Sequence, residues 1–238
     1  KSRKRGETMI KAYAKSDIGK VREINQDSYY ISDSLDEVQL YMLADGMGGC
    51  QGGEIASKLA IQSAKNYIEN NFKEIEKDRE SIIQLVGSSM EYANMIVYEK
   101  SKENKELEGM GTTLEICLIY NNKVFIGHVG DSRIYRIRKE FMRKLTQDHS
   151  YVQKLVKDGT ITAEEAVHHP QKNMLMKALG CNAFVEPDVM VKGFLKEDIL
   201  IINSDGLTNL VPQEEIFKQA KKDIAINKMN ASSFNWEK

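Results

Sequence analysis

Residues 113–138 read TLEICLIYNNKVFIGHVGDSRIYRIR. Three β-prone runs follow one another here, at 113–120, 123–129 and 133–138, with Asn121-Asn122 and Asp131-Ser132 between them. Connections this short join antiparallel neighbours, because parallel strands need a crossover of a dozen or more residues. The stretch therefore predicts three consecutive hairpin-linked strands of an antiparallel sheet.

Upstream, residues 29–32 and 38–44 are β-prone runs on either side of an acidic turn at 33–37, the pattern of paired strands. A glycine-rich stretch at 46–53 leads into Ile55, Ala56, Leu59, Ala60, Ala64, Tyr67, Ile68 and Phe72, whose spacing predicts an amphipathic helix of four to five turns. Ile82, Ile83, Val86, Met90, Ala93, Ile96 and Val97 predict a second long helix over 78–102. The charged segment 101–108 reads as its solvated end or a loop. Downstream, residues 146–180 are polar, with a helix near 151–157 and a His168-His169-Pro170 break, and read as an insertion over a face. Strands are predicted at 185–195 and 198–203, and a helix over 212–225 opened by Pro212. Strands, two helices, strands and a helix, without internal repeat, make an α+β chain and not a βαβ winding.

The 238 residues hold 34 Lys+Arg against 35 Asp+Glu, a formal charge of −1, with 41% hydrophobic and 29% charged residues. Such a chain can bury a sizeable core, which excludes general disorder. Without a basic surplus, no nucleic acid partner is expected. No apolar run reaches the ~18 residues of a membrane span, so no membrane partner is expected either. Cys50, Cys117 and Cys181 are an odd, scattered set with no C-x-x-C pair, which suits a reducing compartment, the cytoplasm. Residues 1–8 are basic, lack an apolar stretch and read as an extension or cloning remnant; residues 9–238 are expected to form one domain.

Three apolar runs end alike: Tyr41-Met-Leu-Ala-Asp45-Gly46, Val124-Phe-Ile-Gly-His-Val-Gly130-Asp131, and Ile199-Leu-Ile-Ile-Asn-Ser-Asp205-Gly206. One Asp beside a Gly is ordinary turn punctuation. Three at strand ends can converge at one sheet edge, where like charges repel unless a cation neutralises them. Carboxylates with no His or Cys nearby suit Mg²⁺ or Mn²⁺ and disfavour zinc. Asp27 adds a fourth acid before the first strand, with Arg22 five residues upstream offering a planar fork for phosphate. The glycine-rich stretch is neither a G-x-G-x-x-G nor a P-loop, since Gln51 stands at the third glycine position and no Gly-Lys-Ser/Thr closes it. Its glycines let the backbone turn sharply and expose the Gly46 carbonyl, or serve only as a flexible strand-to-helix loop.

Six segments occurring in order over about residues 10–216 resemble the metal-dependent protein phosphatase 2C family, in particular its bacterial members. They are Arg22-Glu-Ile-Asn-Gln-Asp27-Ser, Asp45-Gly-Met-Gly-Gly, Gly111-Thr-Thr, Gly130-Asp131-Ser-Arg133, Thr146-Gln-Asp-His149-Ser and Ser204-Asp205-Gly206-Leu. The resemblance implies a four-layer α-β-β-α sandwich with two central antiparallel sheets and metals at one edge. It implies that Asp45 bridges two Mn²⁺ or Mg²⁺ ions, that Asp27 and the Gly46 carbonyl serve one, that Asp205 holds the other, and that Asp131 attends a third. Arg22 would grip the substrate phosphate. Residues 150–180 would be a flap, with His149 at its base either touching substrate or bonding the loop backbone. The implied reaction is hydrolysis of phosphoserine and phosphothreonine in proteins by metal-activated water, opposing a Ser/Thr kinase, with no protein nucleophile.

Departures accompany the resemblance. Met47 stands where animal members carry a histidine, Cys50 where many bacterial members do, and Lys177 where relatives often have arginine. The family's final Asp-Asn pair and last strand have no counterpart in the sequence to Lys238, so a C-terminally truncated domain is expected, monomeric but with an unpaired sheet edge open to self-association. The rival reading is a non-catalytic module that binds phosphoproteins or a kinase. A phosphatase of small metabolites is a third.

Overall fold

A computed structural model describes residues 10–33, 38–48 and 52–227. The elements run β1 (Asp27–Ile31), β2 (Gln39–Met47), α1 (Gly52–Asn71), α2 (Arg79–Glu103), β3 (Gly111–Thr112), β4 (Leu114–Tyr120), β5 (Lys123–Val129), β6 (Arg133–Arg138) and β7 (Phe141–Lys144). They continue with α3 (Tyr151–Lys157), α4 (Ala163–His168), β8 (Asp188–Gly193), β9 (Ile199–Asn203), α5 (Asp205–Thr208) and α6 (Gln213–Asn227). The expectations for residues 1–8 and for Cys50 lie outside the described residues.

Two antiparallel sheets form. The first has the order β1-β2-β4-β5-β8, with β3 also pairing β2, and the second has the order β7-β6-β9. Hairpin β4–β5 turns on Asn121 and Asn122, both with positive φ (48° and 59°), the primed-turn geometry that two such residues allow. The next junction corrects the sequence expectation. Arg133–Arg138 does not extend the hairpin series, because the free edge of β5 is taken by β8. The chain instead crosses at Gly130 (φ +120°) and Ser132 into the second sheet, where β6 pairs β7 and β9. A Cβ on Gly130 would lie 2.5 Å from the Thr113 side chain, so the crossing needs glycine for both conformation and space.

Strands β4 and β5 are apolar on both faces because each face meets a different layer. Ile116, Leu118 and Phe125 pack with Ala56, Ala60, Ile68, Val86 and Met90 of the two long helices. Cys117, Ile119, Val124 and Ile126 pack between the sheets with Tyr41 and Ile134. Asp78 caps α2, accepting the Ser81 N–H at 2.8 Å, which is why that helix starts where the sequence places it. Helix α6 reaches the β6–β7 turn, with Lys221 Nζ donating to the Lys139 carbonyl at 2.9 Å.

The fold is thus α+β with two central antiparallel sheets, as expected, but β7, α4 and α5 were not foreseen. Residues 101–108 also differ, closing in a short 3-10 turn at Lys105–Leu107 that buries Leu107. Among the described residues no strand follows β9, which forms one edge of its sheet.

Ile134, fully buried between the sheets, measures how much their apposition contributes. Ile134→Ala should lower unfolding free energy by about 2–5 kcal/mol in chemical denaturation. Phe141→Ala, at a position 78% exposed on β7, should change it by less than ~0.5 kcal/mol.

Candidate active site

The site begins with a register. Asp27 and Asp45 are directly opposite on β1 and β2, so their side chains leave the same face of the first sheet. By alternation that is the face of Tyr41 and Ile31, turned toward the second sheet. Asp45 lies within β2, two residues from its end, and not in the turn after it.

Its backbone is clamped by the Gly111-Thr-Thr segment. The Asp45 N–H donates to Thr113 Oγ1 at 2.9 Å, while its carbonyl accepts the Thr113 N–H and Thr112 Oγ1, both at 2.9 Å. Asp27 is set from the other sheet: Ser204 Oγ, just after β9, donates to Asp27 Oδ2 at 2.8 Å. Asp205 follows in the first turn of α5, its Oδ2 accepting from Asn209 Nδ2 at 2.9 Å. Asp131 sits in the β5–β6 crossing.

Gly46 must be glycine. A Cβ there would come within 2.0 Å of the Gly53 carbonyl oxygen and 2.7 Å of the Gln26 carbonyl oxygen, because α1 starts directly against it. Ser57 of α1 ties the same corner together by donating to the Gln26 carbonyl at 2.6 Å.

The four carboxyl groups act on one another. Burial first, then the charges of Asp27, Asp205 and Asp131, pushes Asp45 up to about 8. Asp131 is pushed up to about 6 by burial and then by Asp205 and Asp148. Asp27 is raised chiefly by burial, against the opposing Ser204 hydrogen bond. The Arg133 guanidinium is committed to Asp148 at 2.7 Å, and Lys144 joins the same carboxylate at 3.1 Å. Among the described residues no ion pair engages any of the four.

Nor do any three described His, Cys, Asp or Glu side chains close into a ready coordination cage. What marks the site is mutual electrostatic strain, not ligand distances. Four hard oxygen donors plus the Gly46 carbonyl, with no balancing base, are the donor chemistry that Mg²⁺ or Mn²⁺ takes, so these residues fit such a cation. A groove of about 590 Å³ between β1 and α1, lined by Tyr30, Lys58 and Lys65, touches the cluster only at Asp27 and does not enclose it.

The protein phosphatase 2C family model matches residues 20–233. The chain belongs to the protein phosphatase 2C family. It is 36% identical over 230 residues to the serine/threonine phosphatase stp of Listeria innocua serovar 6a, covering 91% of this chain and 88% of that protein. The solved serine/threonine phosphatase Stp1 from Staphylococcus aureus is 38% identical with a TM-score of 0.76, over 84% of this chain and 78% of its own. The catalytic domain of the phosphatase PstP, solved with 2 manganese ions, is 32% identical with a TM-score of 0.74, over 87% and 82%.

Within this member of the family, the structure brings Asp27, Asp45, Asp131 and Asp205 under one another's influence and sets Gly46 beside them. Arg22 is exposed ahead of β1, outside any helix or strand and without a hydrogen bond or ion pair among the described residues. Thr112, Thr113 and Ser204 were missed as site residues. All three lie in the segments that carried the resemblance, yet nothing in a sequence marks a hydroxyl that reaches a strand 67 or 177 residues away. The start of the 146–180 segment also proves integral and not a mere covering, since Thr146, Asp148 and Ser150 are buried.

The carboxyl shifts fix how stability depends on pH. Between the ordinary carboxyl value of 3.8 and about 8, the folded chain holds protons that the unfolded chain releases. Stability in chelator should therefore fall as pH rises through that window. Saturating Mn²⁺ or Mg²⁺ should flatten the slope, because the cation replaces the protons. Glu115, buried and pushed up to about 7, adds a residual slope of the same sign. Melting temperatures from pH 5 to 8 check this, and a rise with pH in chelator would contradict it.

Proposed function

We propose that this chain hydrolyses phosphoserine and phosphothreonine in proteins, with Mn²⁺ or Mg²⁺ held by Asp27, Asp45, the Gly46 carbonyl, Asp131 and Asp205. The observation that carries the reading is the set of four carboxyls drawn from both sheets, with no basic partner among the described residues. Two ions, with a third at Asp131, would supply positive charge for the phosphate oxygens and make water acidic enough to attack at neutral pH.

Each residue then has a task. Asp45 feels all three other acids and would hold the metal charge shared by the cluster. Thr112 and Thr113 fix its backbone, and Ser204 orients Asp27. Arg22, exposed and uncommitted, lies five residues before Asp27 and takes the phosphate dianion by its planar fork. Cys117 and Cys181 are poor nucleophiles: burial raises the thiol pKa of both, which keeps them protonated.

The protein-substrate part is supported by the names of the relatives, which are Ser/Thr phosphatases. A Ser/Thr kinase that installs the phosphate is the natural opponent. We take residues 9–238 as one phosphatase domain acting as a monomer, with the β9 edge as the point where self-association would start. Among the described residues no helix is long and apolar enough to cross a membrane. The free thiols at Cys117 and Cys181 support a cytoplasmic place of action.

Phosphothreonine peptide hydrolysis should vanish in EDTA and return with Mn²⁺; full activity in chelator, or a trapped phosphoenzyme, would overturn the mechanism. Asp45→Asn should lower turnover by about 10³-fold, ~4 kcal/mol in the barrier. Retention of more than about a tenth of turnover, ~1.4 kcal/mol, would remove Asp45 from the shared position. Arg22→Ala should raise KM by about 10-fold and leave kcat nearly unchanged, the loss of one charged hydrogen-bonding partner.

A further inference from the structure

A second set of buried polar groups lies beneath the Asp131 turn and takes no part in the chemistry above. Glu115 and His128 are cross-strand partners on β4 and β5, both side chains with no exposure. His128 Nδ1 lies 2.7 Å from Glu115 Oε1, and its Nε2 lies 2.7 Å from the Gln147 carbonyl. A carbonyl only accepts, so Nε2 carries a proton, and the ring is fixed at both nitrogens.

The His149 ring rests on this anchored plate, centroid to centroid 4.5 Å. Its Nδ1 lies 3.1 Å from the Gly130 N–H. A backbone N–H only donates, so His149 is neutral, with its proton on Nε2, 3.3 Å from Asp188 Oδ2 on β8. Burial, and then the neighbouring His128, lowers the His149 pKa, in the direction this arrangement requires. The His149 backbone joins the same two places: its N–H donates to the Gly130 carbonyl at 2.7 Å, and its carbonyl accepts the Met176 N–H at 2.8 Å. One residue thus holds both the turn that carries Asp131 and the far limb of the 150–180 segment.

We propose that His149 is a positioning residue for Asp131: by accepting the Gly130 N–H at Nδ1 and bonding Asp188 through Nε2, it holds the turn that presents the Asp131 carboxylate to the acid cluster. The inference rests on the proposed metal-binding role of that cluster. His149 itself makes no contact with substrate in this role. Gly130, at φ +120° and confined by Thr113, has a conformation that nothing in its own side chain can secure. The turn therefore depends on hydrogen bonds from outside, and His149 supplies them on both the N–H and the carbonyl.

The test is Mn²⁺ binding to the full chain without substrate, followed by electron paramagnetic resonance, beside the Mn²⁺ dependence of phosphothreonine peptide turnover. His149→Ala should weaken the weakest-binding Mn²⁺ by about 10-fold, the scale on which supporting residues act on metal affinity, and raise the Mn²⁺ needed for half-maximal turnover in parallel. His149→Asn, whose amide oxygen can replace Nδ1 as acceptor, should recover most of that loss. Equal Mn²⁺ affinity in His149→Ala and the unsubstituted chain overturns the proposal, whatever happens to the melting temperature, as does an Asn variant no better than Ala. Should His149→Ala fail to fold, Asp188→Ala carries the same test at a half-exposed position. It should weaken Mn²⁺ binding in the same direction by a smaller factor, and no change there overturns the proposal. An unsubstituted chain that binds no Mn²⁺ would instead sink the functional reading itself.

Discussion

Repulsion among four half-buried carboxyl groups is the constraint around which the structure is arranged. Asp27, Asp45, Asp131 and Asp205 come from two sheets, and Asp27, Asp131 and Asp205 each raise the cost of ionising Asp45. A fold that assembles such a cluster needs other interactions to hold it. Those are visible in the Thr112 and Thr113 clamp on Asp45, the Ser204 bridge to Asp27 and the Ser57 tie at the start of α1. Stability held in the framework is thereby converted into affinity for a hard cation, since whatever neutralises the cluster releases the strain.

The same arrangement explains why the sheets meet where they do. The Asp27–Ser204 bond crosses from the first sheet to the second at the acid end, while Ile134 and Ile126 fill the space between them further along. Glycines at 46 and 130 permit two close approaches at this end, of α1 to β2 and of the crossing chain to Thr113. The family likeness and the local physics therefore converge on one edge of the sandwich.

Much of this was legible in the sequence because the relevant signals are local. Apolar spacing marked the helices, Asn121-Asn122 marked a turn, and an Asp beside a Gly after an apolar run marked three of the four acids. Partnership was not legible. Arg133–Arg138 reads as a strand whichever sheet it joins, and only the capture of the β5 edge by β8 sends it to the other one. Likewise the facing of Asp27 and Asp45 depends on a register that no single run encodes. His149 shows the limit most clearly: its segment suggested either a substrate contact or a backbone bond, and the bond to the Gly130 N–H decides in favour of the second.

The central claim is that the acid cluster holds protons until a divalent cation displaces them. Calorimetric titration of the metal-free chain with Mn²⁺ at pH 7, repeated in buffers of different ionisation enthalpy, counts both ions and protons. The account predicts saturable binding of at least two ions with net release of about one proton, since Asp45 is pushed up to about 8 and is largely protonated at that pH. Binding without proton release, or no saturable binding at all, would contradict it.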